Sequence, residues 1–348
     1  MHLVTLIPGD GIGPEITEAV KEIMASAKAP INWEPVLAGQ TALDNEADLL
    51  PLKTLQSLAK NKVALKGPLT TPIGTGFRSV NVSLRQKFDL YACVRPYKTL
   101  PGISTCFNNV DIVVIRENTE DLYKGVEFAP GSAEVAMITE MSRGMVATDA
   151  AVAIKAISAK ASRRIAKYAF EYAKTTGRKK VTASAKANIM KFTDGLFNGA
   201  VREVAKDYLD IEYNEILVDA LCMKLVQDPN KFDILLLPNL YGDIVSDLVA
   251  GLVGGLGMAP GANIGAKMAI FEATHGSAPD IAGNDVANPT GLLLSAIMML
   301  DYLGENDIAR KIERAVYTVL KDGKEVTKDL NPNGVTTSQM TKAIIKAL

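Results

Sequence analysis

Short apolar runs alternate with longer amphipathic stretches along this chain, which predicts strands separated by helices. Residues 3–7 are apolar and β-rich, and they run into the glycine turn Pro8-Gly-Asp-Gly-Ile-Gly-Pro-Glu15. Helical spacing follows at Ile16, Val20 and Ile23. The same reading places strands at 33–37, 63–68, 111–115, 180–184, 211–218, 232–237 and 268–273. Helices are expected over 52–59, from near Ser79, over 149–174 with Gly177 closing it, from Ile189, from Thr290 to Met299, and finally over 308–320. Residues 70–77 read as a polar, glycine-rich loop, 134–139 as a hairpin or exposed arm, and 259–264 as a turn. The fold class is therefore α/β.

The glycines at 9, 11 and 13 miss the G-x-G-x-x-G spacing of a dinucleotide fingerprint, and Pro14 suits a first helical turn. The motif reads as a tight turn beside a site. With 348 residues the chain is long enough for two domains or one large α/β unit. Its 38 basic and 39 acidic residues balance, which removes the charge argument for nucleic acid. No apolar run reaches the length of a membrane span, so no membrane role is expected. The N-terminus enters a strand directly, and no signal or transit peptide is expected. Cys93, Cys106 and Cys222 lack disulfide or metal spacing and fit a reducing compartment. Two histidines, His2 and His275, exclude a histidine-rich zinc site.

Chemistry concentrates where strands end. In Leu237-Pro-Asn-Leu-Tyr-Gly-Asp-Ile-Val-Ser-Asp247, Asn239, Tyr241 and Gly242 are expected to turn, and Asp243 to begin a helix. Asp243 and Asp247 are four apart and share a helix face. Two such carboxylates repel unless a cation lies between them, and Mg²⁺ or Mn²⁺ prefers oxygen ligands. Taken alone, the pair reads better as an N-cap plus a solvated acid. Arg85, Arg95 and Arg116 lie at the ends of predicted elements and suit a clamp for a di- or tricarboxylate. Solvation is the ordinary fate of arginine, but Arg116 directly continues an apolar strand. Ser79 and Asn81 add a hydroxyl and an amide beside Arg85. Lys186, at a strand-to-helix junction, is either a cap or a catalytic base. His275, Asp280 and Asn288 share a polar loop. An acid there can accept ribose hydroxyls and repel a 2′-phosphate, although turn formation alone also accounts for such a loop.

At this point the sequence resembles the β-decarboxylating dehydrogenases, the isocitrate and isopropylmalate dehydrogenase family. The resemblance covers essentially the whole chain. It rests on Gly9-Asp-Gly-Ile-Gly-Pro-Glu15, Arg116-Glu-Asn-Thr-Glu-Asp-Leu-Tyr123, Lys186-Ala-Asn-Ile-Met-Lys191, Asn239-Leu-Tyr-Gly-Asp-Ile-Val-Ser-Asp247, Gly254-Gly-Leu-Gly-Met-Ala-Pro-Gly-Ala-Asn263 and His275-Gly-Ser-Ala-Pro279, in that order. It implies the family fold, which is not a Rossmann fold. A large cofactor-binding domain is expected from 1–90 and 254–348. A small domain for dimerisation and metal binding is expected from 91–120 and 159–253, and a clasp-like intersubunit arm from 121–158. A homodimer or higher homo-oligomer with shared active sites is implied.

The resemblance also implies roles. Arg85, Arg95 and Arg116 resemble the substrate clamp, with Ser79 and Asn81 meeting a third carboxylate as in the isocitrate type. Asp243 and Asp247 resemble the metal ligands for Mg²⁺ or Mn²⁺, with Asp219 from the other subunit. Lys186, also from the other subunit, resembles the residue that deprotonates the hydroxyl, and Tyr123 the acid that protonates the enol. Thr71, His275, Gly276, Ser277, Ala278, Asp280, Ile281 and Asn288 resemble the cofactor site. The Asp280-Ile281 pair resembles the NAD-type pair of the family. The implied activity is NAD-linked oxidative decarboxylation of isocitrate to 2-oxoglutarate, a tricarboxylic acid cycle reaction. The expected compartment is the bacterial cytoplasm or the mitochondrial matrix. Homoisocitrate or isopropylmalate oxidation is the alternative within the enzymes. A non-catalytic regulatory subunit is the alternative outside them. A simple sugar- or nucleotide-binding module would leave the acid pair and Lys186 unexplained. One departure stands out: Ala185 occupies a position where many relatives carry histidine, which is expected to loosen the surroundings of Lys186 or lower activity.

Overall fold

The computed structural model describes residues 1–71 and 79–348. Ten strands form one sheet: β1 (His2–Ile7), β2 (Ile31–Pro35), β3 (Val63–Lys66), β4 (Ala92–Lys98), β5 (Asp111–Glu117), β8 (Lys180–Ala185), β9 (Glu212–Leu217), β10 (Ile234–Leu237), β11 (Pro260–Ile264) and β12 (Ala269–Ala273). The short strands β6 (Glu127–Phe128) and β7 (Val152–Ala153) pair antiparallel by themselves. The large sheet runs β2-β1-β3-β12-β11-β4-β5-β10-β8-β9. Its two flanks are parallel, and the β12-β11-β4-β5 centre is antiparallel. The two parallel halves consequently point in opposite directions, an arrangement an all-parallel dinucleotide fold lacks.

The two-residue period of each strand divides the core between the faces. On one flank Val4 and Leu6 face the helices Gly13–Ser26, Thr290–Tyr302, Asn306–Asp322 and Thr337–Ala347, while Ile7, Ala64 and Ile270 meet Leu58, Val80 and Leu84 on the other side. At the centre Val113 and Ile115 face the helix Ala159–Thr176. Ile112 and Val114 face the helix Asn239–Leu252. Arg95 and Arg116 therefore lie on the second of these faces, under that helix. The helix can lie so close because Gly242 has no side chain: a Cβ there would meet Arg116 Cγ at 2.5 Å and Cβ at 2.7 Å.

Most predicted elements form with shifted ends, and the exceptions have clear causes. The helix carrying Asp243 starts at Asn239, with Pro238 as its N-cap, so Asn239, Tyr241 and Gly242 are helical and do not turn. Pro238 lacks a donor and sits where none is needed. Residues 260–264 form β11 and do not turn, because the antiparallel partners β12 and β4 satisfy their backbone. Residues 133–141 form a helix, capped by Ser132, and not a hairpin. Most of it is exposed and only Val135 is buried, so its apolar spacing carries little packing information. The 149–174 helix begins only at Ala159, where the Ser158 hydroxyl accepts from the Ala161 N–H at 3.1 Å, and it ends at left-handed Gly177. The helix after Lys186 begins at Thr193, not Ile189. Helices at Gln40–Glu46 and Thr337–Ala347 add to the predicted set. Thr70 and Thr71 lie outside regular structure, and residues 72–77 of the expected loop fall outside the described residues. Among the described residues no helix is long and apolar enough to cross a membrane.

The packing of Gly242 gives a direct test. Gly242→Ala should destabilise the protein by roughly 1–3 kcal/mol through overpacking. Gly251→Ala, on the same helix and with nothing within 4 Å of where its Cβ would stand, should be neutral or stabilising by up to about 1 kcal/mol. Denaturant unfolding of the two variants would contradict the account if Gly242→Ala were as stable as Gly251→Ala.

Candidate active site

Arg116 lies near the end of β5, and only 1% of it is exposed. A charge so deep must be paired and hydrogen-bonded. Its Nε and Nη2 donate to Asn239 Oδ1 at 2.9 and 2.7 Å, and its Nη1 pairs with Asp243 Oδ1. Asn239 is held in turn by donating to the Glu120 carbonyl at 3.0 Å. Arg95 Nη1 donates to Ser246 Oγ at 2.5 Å and lies 3.7 Å from both Asp243 and Asp247. The Tyr123 hydroxyl donates to Asp243 Oδ2, and its ring centre lies 4.8 Å from the Arg116 guanidinium carbon. Burial works to raise the Asp243 pKa, but the charge of Arg116, the Tyr123 hydrogen bond and the charges of Arg95 and Arg85 hold it below the ordinary aspartate range. For Tyr123, burial and then Asp243 push the pKa up, so the phenol keeps its proton. Asp247, one turn along and exposed, has its pKa raised by partial desolvation, with Arg95 opposing and Asp243 adding to the rise.

Arg85 belongs to the helix Val80–Lys87 and reaches a second buried group. Its Nη2 lies 3.4 Å from Glu272 Oε1, while Lys66 Nζ sits 2.5 Å from Glu272 Oε2. Asn263 donates to Glu272 at 2.6 Å, and Asn118 donates to Asn263 at 2.9 Å. Burial alone would raise the Glu272 pKa; the charges of Lys66 and Arg85 overcome it and bring the pKa down to about 2. Among the described residues Arg85 Nε and Asn81 Oδ1 are buried without a partner. Ser79 is the N-cap of the Val80–Lys87 helix, with no side-chain cap bond. Arg85, Arg95, Arg116, Tyr123, Asp243 and Asp247 thus come together.

Lys186 and Asp219 stand elsewhere. Lys186 Nζ pairs with Asp219 Oδ2 at 2.7 Å. Among the described residues no group of three His, Cys, Asp or Glu side chains could hold a metal ion, so Asp219 does not join Asp243 and Asp247 within one chain. Ala185, the last residue of β8, is fully buried opposite Leu217.

The polar loop after β12 packs on the first glycine turn. The Ile12 N–H donates to the Ser277 carbonyl at 2.9 Å, and a Cβ at Gly11 would strike that carbonyl at 2.0 Å. Ser277 Oγ lies 2.7 Å from Thr70 Oγ1, and Thr71 Oγ1 accepts from the Val80 N–H at 3.2 Å. Burial lowers the His275 pKa, so the ring is neutral near pH 7. His275 Nδ1 lies 3.0 Å from the Gly276 carbonyl, leaving Nε2 unpartnered among the described residues. Gly276, Ala278, Asp280 and Ile281 are exposed. Asn288 is already engaged: its Nδ2 donates to Asp329 at 2.9 Å, and its Oδ1 accepts from the Thr290 N–H at 3.0 Å.

The site also draws on Glu272 and Lys66, which no motif singles out, and on Asn239, which the sequence marks only as a turn former. A signal exists for the first two: each is a charge inside an otherwise apolar strand, as Arg116 is.

This mixed sheet, with its opposed parallel halves and charged centre, defines an α/β protein class distinct from the dinucleotide folds. A family profile described as isocitrate/isopropylmalate dehydrogenase matches residues 3–344. A Dictyostelium discoideum protein, named as a mitochondrial regulatory subunit of NAD isocitrate dehydrogenase, is 51% identical over 347 residues, covering 99% of this chain and 91% of its own length. The Homo sapiens protein named as the mitochondrial alpha subunit of NAD isocitrate dehydrogenase is 52% identical over 337 residues, covering 96% of this chain and 87% of its own length. The crystal structure of isocitrate dehydrogenase from Methylococcus capsulatus superposes with a TM-score of 0.93 at 48% identity, covering 100% of this chain and 99% of that one. The chain belongs to the isocitrate/isopropylmalate dehydrogenase family.

Glu272 supplies a test of the buried charges. Glu272→Gln leaves Lys66 and Arg85 uncompensated and should cost about 3–5 kcal/mol at neutral pH. Because its folded pKa lies below the ordinary value of 4.5, Glu272 contributes stability above that pH and loses it as pH falls toward about 2. Denaturant midpoints measured from pH 6 down to pH 3 should fall less steeply for the variant. Parallel acid limbs would contradict the pairing.

Proposed function

We propose that this chain is an NAD-linked isocitrate dehydrogenase whose active site is completed by a second chain. The observation that carries the reading is Asp243, ionised and enclosed by Arg116, Arg95 and Tyr123, with Asp247 one turn along the same helix. Arginine forks bind carboxylates bidentately, and Arg85 retains an unpartnered buried donor among the described residues. Arg85, Arg95 and Arg116 are the substrate clamp in this reading. Ser79 and Asn81 meet the third carboxylate, which favours isocitrate over isopropylmalate.

The donor chemistry fits a hard divalent cation: carboxylate oxygens at Asp243, held ionised by its cationic neighbours, and at Asp247, with no soft ligands. Asp243 and Asp247 of one chain and Asp219 of the other would hold Mg²⁺ or Mn²⁺. When bound, the ion supplies Lewis-acid polarisation of the substrate oxygens, and NAD accepts the hydride. Lys186 takes the proton of the 2-hydroxyl. Tyr123, kept protonated by burial and by Asp243, returns a proton to the enol carbon after CO₂ departs. Thr71 and the 275–281 loop with Asn288 bind NAD in this reading; Asn288 does so through groups other than its engaged amide. Asp280 accepts the ribose hydroxyls and disfavours a 2′-phosphate.

Two features support a partner chain. Lys186 and Asp219 lie away from Asp243, and the packed helices Val218–Gln227 and Asn239–Leu252 expose Met223, Val226 and Ile244. Ile189 and Phe192 beside Lys186 are also exposed, Phe192 by 92%. A second copy covering these residues makes a homo-oligomer with reciprocal sites. In this arrangement 1–90 with 254–348 is the cofactor domain, 91–120 with 159–253 the pairing domain, and 121–158 the arm. Bacterial cytoplasm or mitochondrial matrix suits it. The Dictyostelium relative's name raises a regulatory role, but the full set of clamp, acid pair, Lys186 and Tyr123 argues for turnover.

Mixed chains test the shared site. Lys186→Ala and Tyr123→Phe should each abolish NADH formation when alone. Refolded together, they should regain activity, because one of the two sites in a mixed dimer then has both Lys186 and Tyr123 intact. Absence of recovery, with mixed dimers demonstrated by mass, would contradict the sharing.

A further inference from the structure

Lys155 lies where the arm rejoins the body, and its side chain is only 13% exposed. Its ammonium sits 2.7 Å from Asp194 Oδ1, 3.9 Å from Asp121 Oδ1 and 4.3 Å from the centre of the Tyr241 ring. Both carboxylates are fully buried, with side-chain exposure of 0%. Two buried anions around one cation are costly to leave unneutralised, so the group holds a defined geometry. None of these residues belongs to the substrate clamp assigned above.

What matters is where the remaining oxygens go. Asp194 Oδ2 accepts the backbone N–H of Lys186 at 2.8 Å. Asp121 Oδ2 accepts the Leu240 N–H at 2.9 Å, in the first turn of the helix that carries Asp243. Asp121 Oδ1 accepts the Leu122 N–H at 2.9 Å, in the short 3₁₀ turn that presents Tyr123. Asp121 itself adopts φ 69°, a left-handed conformation that surrounding contacts must impose. Those contacts are close at hand: the Asp121 N–H donates to the Ala156 carbonyl at 3.0 Å, and Glu120 accepts from the Ser158 N–H and hydroxyl at 2.7 and 2.6 Å. One ammonium thus lies a single carboxylate away from the Lys186 backbone on one side, and from both the Tyr123 turn and the Asp243 helix on the other.

We propose that Lys155 is a positioning residue that, through Asp194 and Asp121, sets the Lys186 loop and the Tyr123–Asp243 pair in register with each other. The inference rests on the shared-site reading. There, the Lys186 of a chain serves its partner's site while the Tyr123 and Asp243 of that chain serve its own. Lys155 accordingly links the two active sites of a dimer. Through it, a displacement at one site reaches the residue lent to the other. Arg95 and Arg116 stand on β4 and β5 and Arg85 pairs with Glu272, none of them bonded to Lys155, Asp121 or Asp194, so substrate binding is affected less than the proton transfers.

The test places Lys155→Met in the complementing dimer of Lys186→Ala and Tyr123→Phe chains. That dimer has one live site, which takes Tyr123 from the first chain and Lys186 from the second. Lys155→Met should lower kcat at least tenfold when carried by either chain, with KM for isocitrate changed less than threefold. Lys155→Arg, which keeps the charge, should recover most of the loss. A purely structural lesion would instead reduce the yield of folded dimer and leave kcat per folded site unchanged. Loss from only one chain, or a rise in KM with kcat intact, would overturn the link. If Lys155→Met fails to fold, Asp194→Asn, which retains an acceptor for the Lys186 N–H while removing the charge that Lys155 meets, gives the same comparison. Failure of the parent pair to complement without any change at Lys155 would instead count against the shared site itself.

Discussion

Everything near the centre of this molecule depends on a guanidinium buried inside a β-strand. Arg116 is almost entirely withdrawn from water, and such a charge survives only with its donors met by an acid and polar acceptors. Asn239 and Asp243 meet them, and both lie on one helix. That helix must cross the strand closely, which Gly242 permits. The ion pair therefore fixes where the helix lies, where Asp243 and Asp247 point, and where Tyr123 can hydrogen-bond. A second buried acid, Glu272, does the same for Lys66 and Arg85 from the other half of the sheet.

The arrangement explains how an acid pair and a cluster of arginines coexist. Without substrate the three guanidiniums neutralise Asp243 and keep it ionised. They can serve a polycarboxylate because the fork geometry leaves donors in reserve, as Arg85 Nε, unpartnered among the described residues, shows. A carboxylate held ionised is also the form that a divalent cation requires. The same charges thus prepare the two functions assigned to this cleft. The remaining parts, Lys186 and Asp219, sit together at a distance, beside exposed apolar residues such as Phe192 and Met223. In the proposed shared-site reading, such a chain contributes half of each of two sites.

Much of this is legible in the residues, for physical reasons that differ from place to place. Apolar strands with both faces covered show as continuous runs, so β5, β10 and β12 are readable, and Arg116 stands out as the charge that breaks the pattern. The i,i+4 spacing alone gives the shared face of Asp243 and Asp247. The turn expected at Asn239 fails because asparagine, tyrosine and glycine favour turns locally, whereas here Asn239 is committed to Arg116 and the helix starts earlier. β11 reads as a turn because its proline, glycine and asparagine suit turns, and only its two strand neighbours reveal the pairing. The arm helix escapes because an exposed helix carries no stripe facing a core. Lys155 gives no sign at all: its meaning comes from Asp121 and Asp194, which are 34 and 39 residues away in sequence and meet only in the fold.

The central claim is that this site oxidises isocitrate with NAD. The most direct measurement is the absorbance of reduced nicotinamide formed by the purified protein with Mg²⁺ or Mn²⁺. Isocitrate, homoisocitrate and isopropylmalate would each be supplied separately, with NAD or NADP. The account predicts rapid reduction of NAD with isocitrate, little with the other two acids, and a marked preference for NAD over NADP. Faster turnover with isopropylmalate or homoisocitrate, or no turnover with any combination, would contradict it.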